Sequence, residues 1–205
     1  MLHKEKIRFN IKDLGIIVNP AAGAGKAVIQ EIAAQAIEKF HDCNVIYPDP
    51  GKGRESTMHN AFEIAPGVDA ILVVGGDGTM SDVAYSLFES GISTPIIGIG
   101  AGSTNAGPLI TVKAAELDTL DTCALTIQEV GGIIATIRGE RTGIGFNDIV
   151  FGDTVLTTLH ERVVQVNAAE YMKGKKVPAT PSKAGTIDSE VLIERSGKVI
   201  QIHKV

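Results

Sequence analysis

Short apolar runs alternate with amphipathic stretches through the first half of this 205-residue chain. Four runs predict strands, at residues 14–18, 44–47, 70–74 and 95–99. Between them apolar residues recur at helical spacing and predict helices over residues 28–40, 54–65 and 80–88. Strands that alternate with helices are typical of a parallel sheet covered by helices. Near-continuous apolar strands fit this class, because both faces of such a sheet are buried.

The chain changes character after about residue 122. Residues 133–138 and 145–150 predict strands, residues 191–202 predict a hairpin, and residues 168–172 predict a short helical turn. The basic segment 173–181 is typical of a solvated loop, with a ligand clamp as the alternative. We therefore expect an α/β domain over residues 1–122 and a smaller β-rich region over residues 123–205.

Composition and processing signals exclude several classes of protein. The net charge of the chain is -5, whereas proteins that bind nucleic acid or a membrane surface typically carry an excess of basic residues. No apolar run approaches the roughly 18 residues that span a membrane, and the charged first 13 residues lack the apolar core of a signal peptide. Cys43 and Cys123 lie far apart, which is a weak disulfide signal. We expect a cytoplasmic protein that binds neither nucleic acid nor membrane.

The most informative cluster is Gly75-Gly76-Asp77-Gly78-Thr79, between a predicted strand and a predicted helix. Glycine lets backbone approach a ligand closely, and a helix N-terminus favours phosphate. Thr79 is expected to cap the helix, with Asp82 as its capping-box partner. A carboxylate repels phosphate unless a cation or a hydroxyl proton lies between them, so Asp77 indicates Mg²⁺ coordination or general-base catalysis. The alternative is a tight turn that needs Asp and Gly for its geometry.

Two further glycine-rich segments follow predicted strands. Residues 19–26 resemble a phosphate loop but fail the Walker pattern, because Pro20 stands where glycine is required and Ala27 follows the lysine. Residues 98–108 begin at the end of the strand predicted at residues 95–99. Loops after parallel strands meet at one edge of the sheet, so we expect a shared nucleotide site. The predicted nucleotide and phosphate contacts are Asn19, Gly23, Gly25, Gly75, Gly76, Gly78, Thr79, Gly102, Ser103, Thr104 and Asn105.

A fourth cluster lies within residues 145–154. Its adjacent Asn147 and Asp148 can accept hydrogen bonds from ribose hydroxyls, and a β-turn is the alternative. Arg138 and Arg141 flank a predicted turn nearby, where they could meet phosphate or form a solvated rim.

Together these segments resemble the superfamily of NAD kinases and diacylglycerol or sphingosine kinases, and most closely its ATP-NAD kinase branch with the AcoX-like members. Residues 75–79 match the GGDGT signature in full, and residues 19–23 are similar to the entry loop. Residues 102–105 are similar to the GTGN-type loop of the lipid-kinase and AcoX-like branches, and Asn147-Asp148 resembles the NE/D pair. The resemblance covers about residues 14–155.

The resemblance implies an active site between an N-terminal α/β domain and a C-terminal β-rich domain. It implies phosphoryl transfer to a hydroxyl from ATP or polyphosphate, with Mg²⁺. Asp77 would take the proton of the accepting hydroxyl and help hold the metal. Asn147 and Asp148 would hold the acceptor's ribose, while the glycines of residues 75–78 and Thr79 would line the donor phosphates. Homo-oligomers are common in the superfamily and are expected here.

The activity expected first is phosphorylation of NAD to NADP. A kinase for a lipid or small polyol and a non-catalytic nucleotide-binding protein are the alternatives. NAD kinases have a longer C-terminal domain than residues 123–205 can form, so we expect a reduced or truncated second domain.

Overall fold

The computed structural model describes residues 9–46, 48, 53–102, 105–146, 149, 152–159, 162–173, 175–181, 190–195 and 197–203. Contacts divide the chain into two compact units, Met1–Asp148 and Ile149–Val205. This division places residues 123–148 with the first unit. The domain boundary at residue 122 stays a prediction.

A five-stranded parallel sheet forms the centre of the first unit. Its strands are β1 (Asp13–Val18), β2 (Asn44–Ile46), β3 (Ala70–Gly75), β4 (Ile96–Gly100) and β5 (Val112–Lys113), in the order β2-β1-β3-β4-β5. The helices are α1 (Lys26–Lys39), α2 (Gly53–Ile64) and α3 (Asp77–Glu89), with short 3₁₀ segments at Ala65–Gly67, Ala114–Thr119 and Thr122–Ala124. The predicted α/β fold class is confirmed.

The strands β1, β3 and β4 are largely apolar and buried because each face of the sheet packs against helices. Leu72 and Val74 of β3 join one buried cluster, which includes Ile29 and Ile32 of α1. Ile71 and Val73 of β3 lie on the other face, in a second buried cluster. This cluster also contains Ala61 and Ile64 of α2 and Met80, Val83 and Leu87 of α3. Successive side chains of a strand point to opposite faces, so β3 contributes to both clusters.

The strand order reverses direction between β1 and β3, which are neighbours at the middle of the sheet. The chain leaves β1 through α1 toward β2 and leaves β3 through α3 toward β4. Loops on the two sides of such a point diverge and leave a crevice beyond the carboxyl ends of the strands. The fold therefore directs attention to the segments that follow β1, β3 and β4.

The first unit ends in a hairpin of β6 (Ile133–Ile137) and β7 (Glu140–Gly145). Its two-residue turn has positive φ at both Arg138 (53°) and Gly139 (84°), as a type I′ turn requires. Ile137 pairs with Glu140, so β7 begins directly after the turn. The strand predicted at residues 145–150 is not found at Phe146 or Ile149, because β7 ends at Gly145, and residues 147, 148 and 150 lie outside the described residues.

The second unit contains two antiparallel pairs. One pairs β8 (Thr154–Leu159) with β9 (Arg162–Asn167), and the other pairs β10 (Glu190–Arg195) with β11 (Lys198–His203). The predicted C-terminal hairpin is present, and the short helix α4 (Ala168–Met172) lies where a helical turn was predicted. β8 and β9 were not predicted. Within the segment predicted as a loop, Pro178 forms an isolated bridge with Val166. In the described parts of the chain, no helix has the length and apolar character that crossing a membrane requires.

Candidate functional site

Backbone hydrogen bonds tie together the segments that follow β1, β3 and β4. The amide of Asn19, after β1, donates to the carbonyl of Val74 in β3 at 3.0 Å. The Ala101 amide, after β4, donates to the Gly75 carbonyl at 2.7 Å. The Ala24 amide, in the loop after β1, donates to the Ala101 carbonyl at 2.9 Å. The three predicted glycine-rich loops therefore lie side by side at the carboxyl edge of the sheet.

The Asn19 side chain links the first loop to α3. Its amide nitrogen donates to the Thr79 hydroxyl at 2.8 Å, and its oxygen accepts from the Ala21 amide at 3.0 Å. Thr79 is buried within the first turn of α3.

The predicted cap at Thr79 is wrong, because the helix begins at Asp77 with Gly76 as its N-cap and no capping side chain. Asp82 is likewise not a capping-box partner. Its carboxylate instead pairs with Arg54 of α2 at 3.0 Å. Burial raises the pKa of Asp82, and the Arg54 charge opposes that rise.

Asp77, the acidic residue of the glycine-rich cluster, is held by the loop after β4. One carboxylate oxygen accepts from the Gly107 amide at 2.8 Å and the other accepts from the Ala106 amide at 3.1 Å. A Cβ atom on Gly107 would lie only 2.7 Å from the nearer oxygen, so glycine is needed for this approach. The carboxylate is half-buried and therefore remains accessible to a small reactant.

Gly76 and Gly102 bring the second and third loops into backbone contact. A Cβ atom on Gly102 would lie 2.6 Å from the Cα of Gly76, closer than real Cβ atoms approach other atoms. Asn105 bonds both polar backbone groups of Gly102, accepting from its amide at 2.7 Å and donating to its carbonyl at 2.9 Å. Predicted site residues from separate loops thus lie in direct contact.

The remaining predicted residues fall into two groups. Gly23, Gly25 and Gly78 are exposed, and open space surrounds the position of a Cβ at Gly25 and Gly78. The others lie outside the described residues: Ser103, Thr104, Asn147 and Asp148. Sequence reasoning missed the amides of Ala106 and Gly107, since backbone donors carry no residue signature.

Arg141 lies in β7 and contacts α3. Its guanidinium is 3.4 Å from the Glu89 carboxylate and 5.3 Å from the centre of the Phe88 ring. Arg138 is exposed in the hairpin turn. Arg141 thus helps hold the hairpin against the helix.

A magnesium ion would find one protein carboxylate among these loops. Among the described residues of the three loops, Asp77 is the only side chain with a carboxylate, and no group of three or more His, Cys, Asp or Glu residues is placed to hold a metal. Mg²⁺ in phosphoryl-transfer sites is typically bound by one or two carboxylates together with substrate phosphates. The residues present fit a metal that arrives with a nucleotide.

The family model of the diacylglycerol kinase catalytic domain matches residues 13–129, more than half of the chain. The chain belongs to this family. The matched segment includes all three loops and Asp77, and the resemblance to the NAD kinase and diacylglycerol kinase superfamily is confirmed.

Similar proteins span both branches of the superfamily. An uncharacterised protein of Archaeoglobus fulgidus is 32% identical over 83% of this chain and 58% of its own length. An NAD kinase of Clostridium perfringens is 27% identical over 78% of this chain and 57% of its own. A diacylglycerol kinase of Mycobacterium tuberculosis is 31% identical over 70% and 49%, respectively. The chain thus spans about half the length of these relatives.

Proposed function

We propose that this chain carries the nucleotide-binding and catalytic part of an ATP-dependent kinase that phosphorylates a hydroxyl group. The observation that carries the proposal is the position of Asp77. It lies at the start of α3, beside the topological switch point, and two amides of a glycine-rich loop hold its carboxylate. Family membership supports the same reaction class.

The proposed mechanism is direct transfer of the terminal phosphoryl group without a covalent enzyme intermediate. The small residues of the loops allow phosphates to approach the backbone. The first amides of α3 have no intrahelical partner, since Met80 is the first to donate to the Gly76 carbonyl, so they are available to phosphate oxygens. Asp77 accepts the proton of the attacking hydroxyl. Mg²⁺ would neutralise charge on the phosphates when bound, and Asp77 is the residue that would hold it.

NAD is the acceptor that we propose first, with NADP as the product. NAD kinases are among the similar proteins, and the sequence of Asn147 and Asp148 resembles the pair that holds the acceptor's ribose. ATP is the proposed donor, and polyphosphate makes similar demands on the loops. The homo-oligomeric state and cytoplasmic location stay predictions.

A lipid alcohol such as diacylglycerol is the second candidate acceptor. The specific observation in its favour is the match of residues 13–129 to the diacylglycerol kinase catalytic domain. The loop at residues 102–105 is also similar to that of the lipid-kinase branch.

Labelled ATP and Mg²⁺ offered with either NAD or diacylglycerol in mixed micelles test both acceptors. Formation of labelled NADP supports the first proposal, and labelled phosphatidic acid supports the second. Nucleotide binding by calorimetry without transfer to either acceptor, or to small polyols, would favour a non-catalytic binding protein.

Asp77→Asn is the variant that tests the mechanism. We expect kcat to fall by about 10²- to 10⁴-fold, the usual contribution of a general base, while ATP binding persists. Asp42→Asn is the matched control, because Asp42 is exposed between α1 and β2, at the opposite end of the strands. Unchanged kcat in Asp77→Asn would remove Asp77 from the mechanism.

A further inference from the structure

The side-chain amide of Asn105 bonds both polar backbone groups of Gly102 in the loop after β4. The oxygen accepts from the Gly102 amide at 2.7 Å, and the nitrogen donates to the Gly102 carbonyl at 2.9 Å. The backbone of Asn105 is left-handed, with φ of 51°, a conformation that asparagine adopts more readily than most residues. The side chain and the backbone preference of Asn105 therefore both shape the loop after β4.

Described residues before and after Asn105 contact the beginning of α3. On one side Gly102 packs against the Cα of Gly76, the residue before Asp77. On the other side the Ala106 and Gly107 amides donate to the Asp77 carboxylate. Asn105 joins the two sides through its bonds to Gly102, so these residues form a closed ring of contacts with Gly76 and Asp77.

We propose that Asn105 is a positioning residue that orients the Asp77 carboxylate through the amides of Ala106 and Gly107. This role rests on the proposed kinase function. The two bonds to Gly102, one accepted and one donated, fix the orientation of the Asn105 amide beside these residues. Orientation matters to a general base, because a displacement of about 1 Å costs on the order of 10²-fold in rate.

A double-mutant cycle separates positioning from a general structural effect. In Asn105→Ala we expect kcat to fall about 10- to 100-fold, with KM for ATP changed less than about threefold. Asn105→Ala combined with Asp77→Asn should be no slower than Asp77→Asn alone, since the two residues act through one carboxylate. If the double variant loses kcat by the product of the two single losses, the proposal is wrong. The same holds if Asn105→Ala changes only KM for ATP.

Two further variants control for folding. Asn44→Ala removes an asparagine that bonds Asp13 at 3.0 Å near the other end of the strands, and it should keep the wild-type kcat. Gly107→Ala leaves Asn105 untouched but places a methyl group against the Asp77 carboxylate. It should reproduce the kcat loss of Asn105→Ala with a similar KM for ATP. A wild-type kcat in Gly107→Ala would contradict the proposed route through this amide.

Amide hydrogen exchange, measured by NMR without substrate, tests the geometry independently of turnover. Both Asn105→Ala and Asp77→Asn should speed exchange of the Ala106 and Gly107 amides by about tenfold or more, while β3 amides remain protected. Wild-type exchange at these amides in Asn105→Ala would overturn the positioning role. If the wild-type protein transfers phosphate to no acceptor, the proposed function fails, and the exchange data still decide whether Asn105 holds the carboxylate.

Discussion

Asn19 and Asn105 show how single residues of the site are used. The sequence predicts both as nucleotide contacts, because amides in glycine-rich loops suit phosphate and ribose. In the structure Asn19 bonds the Thr79 hydroxyl and Asn105 bonds the Gly102 backbone. Each amide therefore holds one part of the site in place. Whether either also contacts a nucleotide stays a prediction.

Asp69 provides a pH-dependent contact at the opposite end of the strands. Its carboxylate accepts from the amides of Lys12 at 2.8 Å and Asp13 at 3.0 Å, immediately before and at the start of β1. The hydrogen bond from Asp13, followed by that from Lys12, lowers the pKa of Asp69 below its ordinary value of 3.8. A carboxyl group with a lowered pKa stabilises the folded state above the unfolded pKa, and this stabilisation is lost as the pH falls through the folded value.

Asp69→Asn should therefore be less stable than wild type at neutral pH, and the difference should shrink as the pH falls below about 4. Urea unfolding monitored by circular dichroism at several pH values measures it. Asp42→Asn, which changes an exposed carboxyl group with no backbone amide bond shown, serves as the control. A difference that stays constant down to about pH 2 would contradict the assigned cause.

Helix α3 connects the site to the core at the scale of an element. Its first turn carries Asp77 and Thr79, and further along it buries Val83 and Leu87 against the sheet. It ends at Glu89, and Gly91, the residue that the sequence predicts as its stop, follows with φ of 66°. The amides of Gly91 and Ile92 donate to the carbonyls of Phe88 and Leu87 at 3.1 and 2.9 Å, which closes the helix end.

Gly91→Ala should destabilise the protein by about 1 kcal/mol, because alanine is strained at positive φ while open space surrounds the new Cβ atom. Chemical denaturation measures the change in the free energy of unfolding. Ser90→Ala is the control, since Ser90 is exposed and has a right-handed backbone. A Gly91→Ala protein as stable as wild type would show that this helix end does not need glycine.

At the scale of the whole molecule, the buried apolar side chains are concentrated in the first unit. Both core clusters lie around the parallel sheet. Among the described residues of the second unit, Val166 is the only apolar side chain that is buried. Leu156 of β8 is 67% exposed. Cooperative unfolding of the chain should therefore depend mainly on packing around the sheet.

Leu72→Ala should cost about 2–5 kcal/mol of the free energy of unfolding, since it leaves a cavity at a fully buried position. Leu156→Ala should change it by less than about 0.5 kcal/mol. Denaturant titrations of the two variants provide the comparison, with both substitutions removing the same atoms. Equal losses would show that the exposed face of β8 is covered in solution.

Prediction from sequence succeeded where the signal is local. The strands β1, β3 and β4 were predicted because burial on both faces makes each one a nearly continuous apolar run. The strand β2 was also predicted, although its residues are exposed, and the two-residue strand β5 was not. The hairpin of β6 and β7 was only half predicted. The Arg138-Gly139 pair lacks the familiar Asn-Gly turn signal, and the first half of β7 is exposed, so no apolar pattern marked where β7 begins.

The amino-acid sequence by itself determined the α/β class, the family resemblance and the presence of glycine-rich segments after three strands. These depend on local periodicity and on residue types that one short segment displays. Only the tertiary structure decided that Asn19 binds Thr79, 60 positions away, and that Asp77 is held by amides 29 and 30 positions away. Those bonds depend on which strands are neighbours in the sheet, and strand order is a property of the whole packed unit.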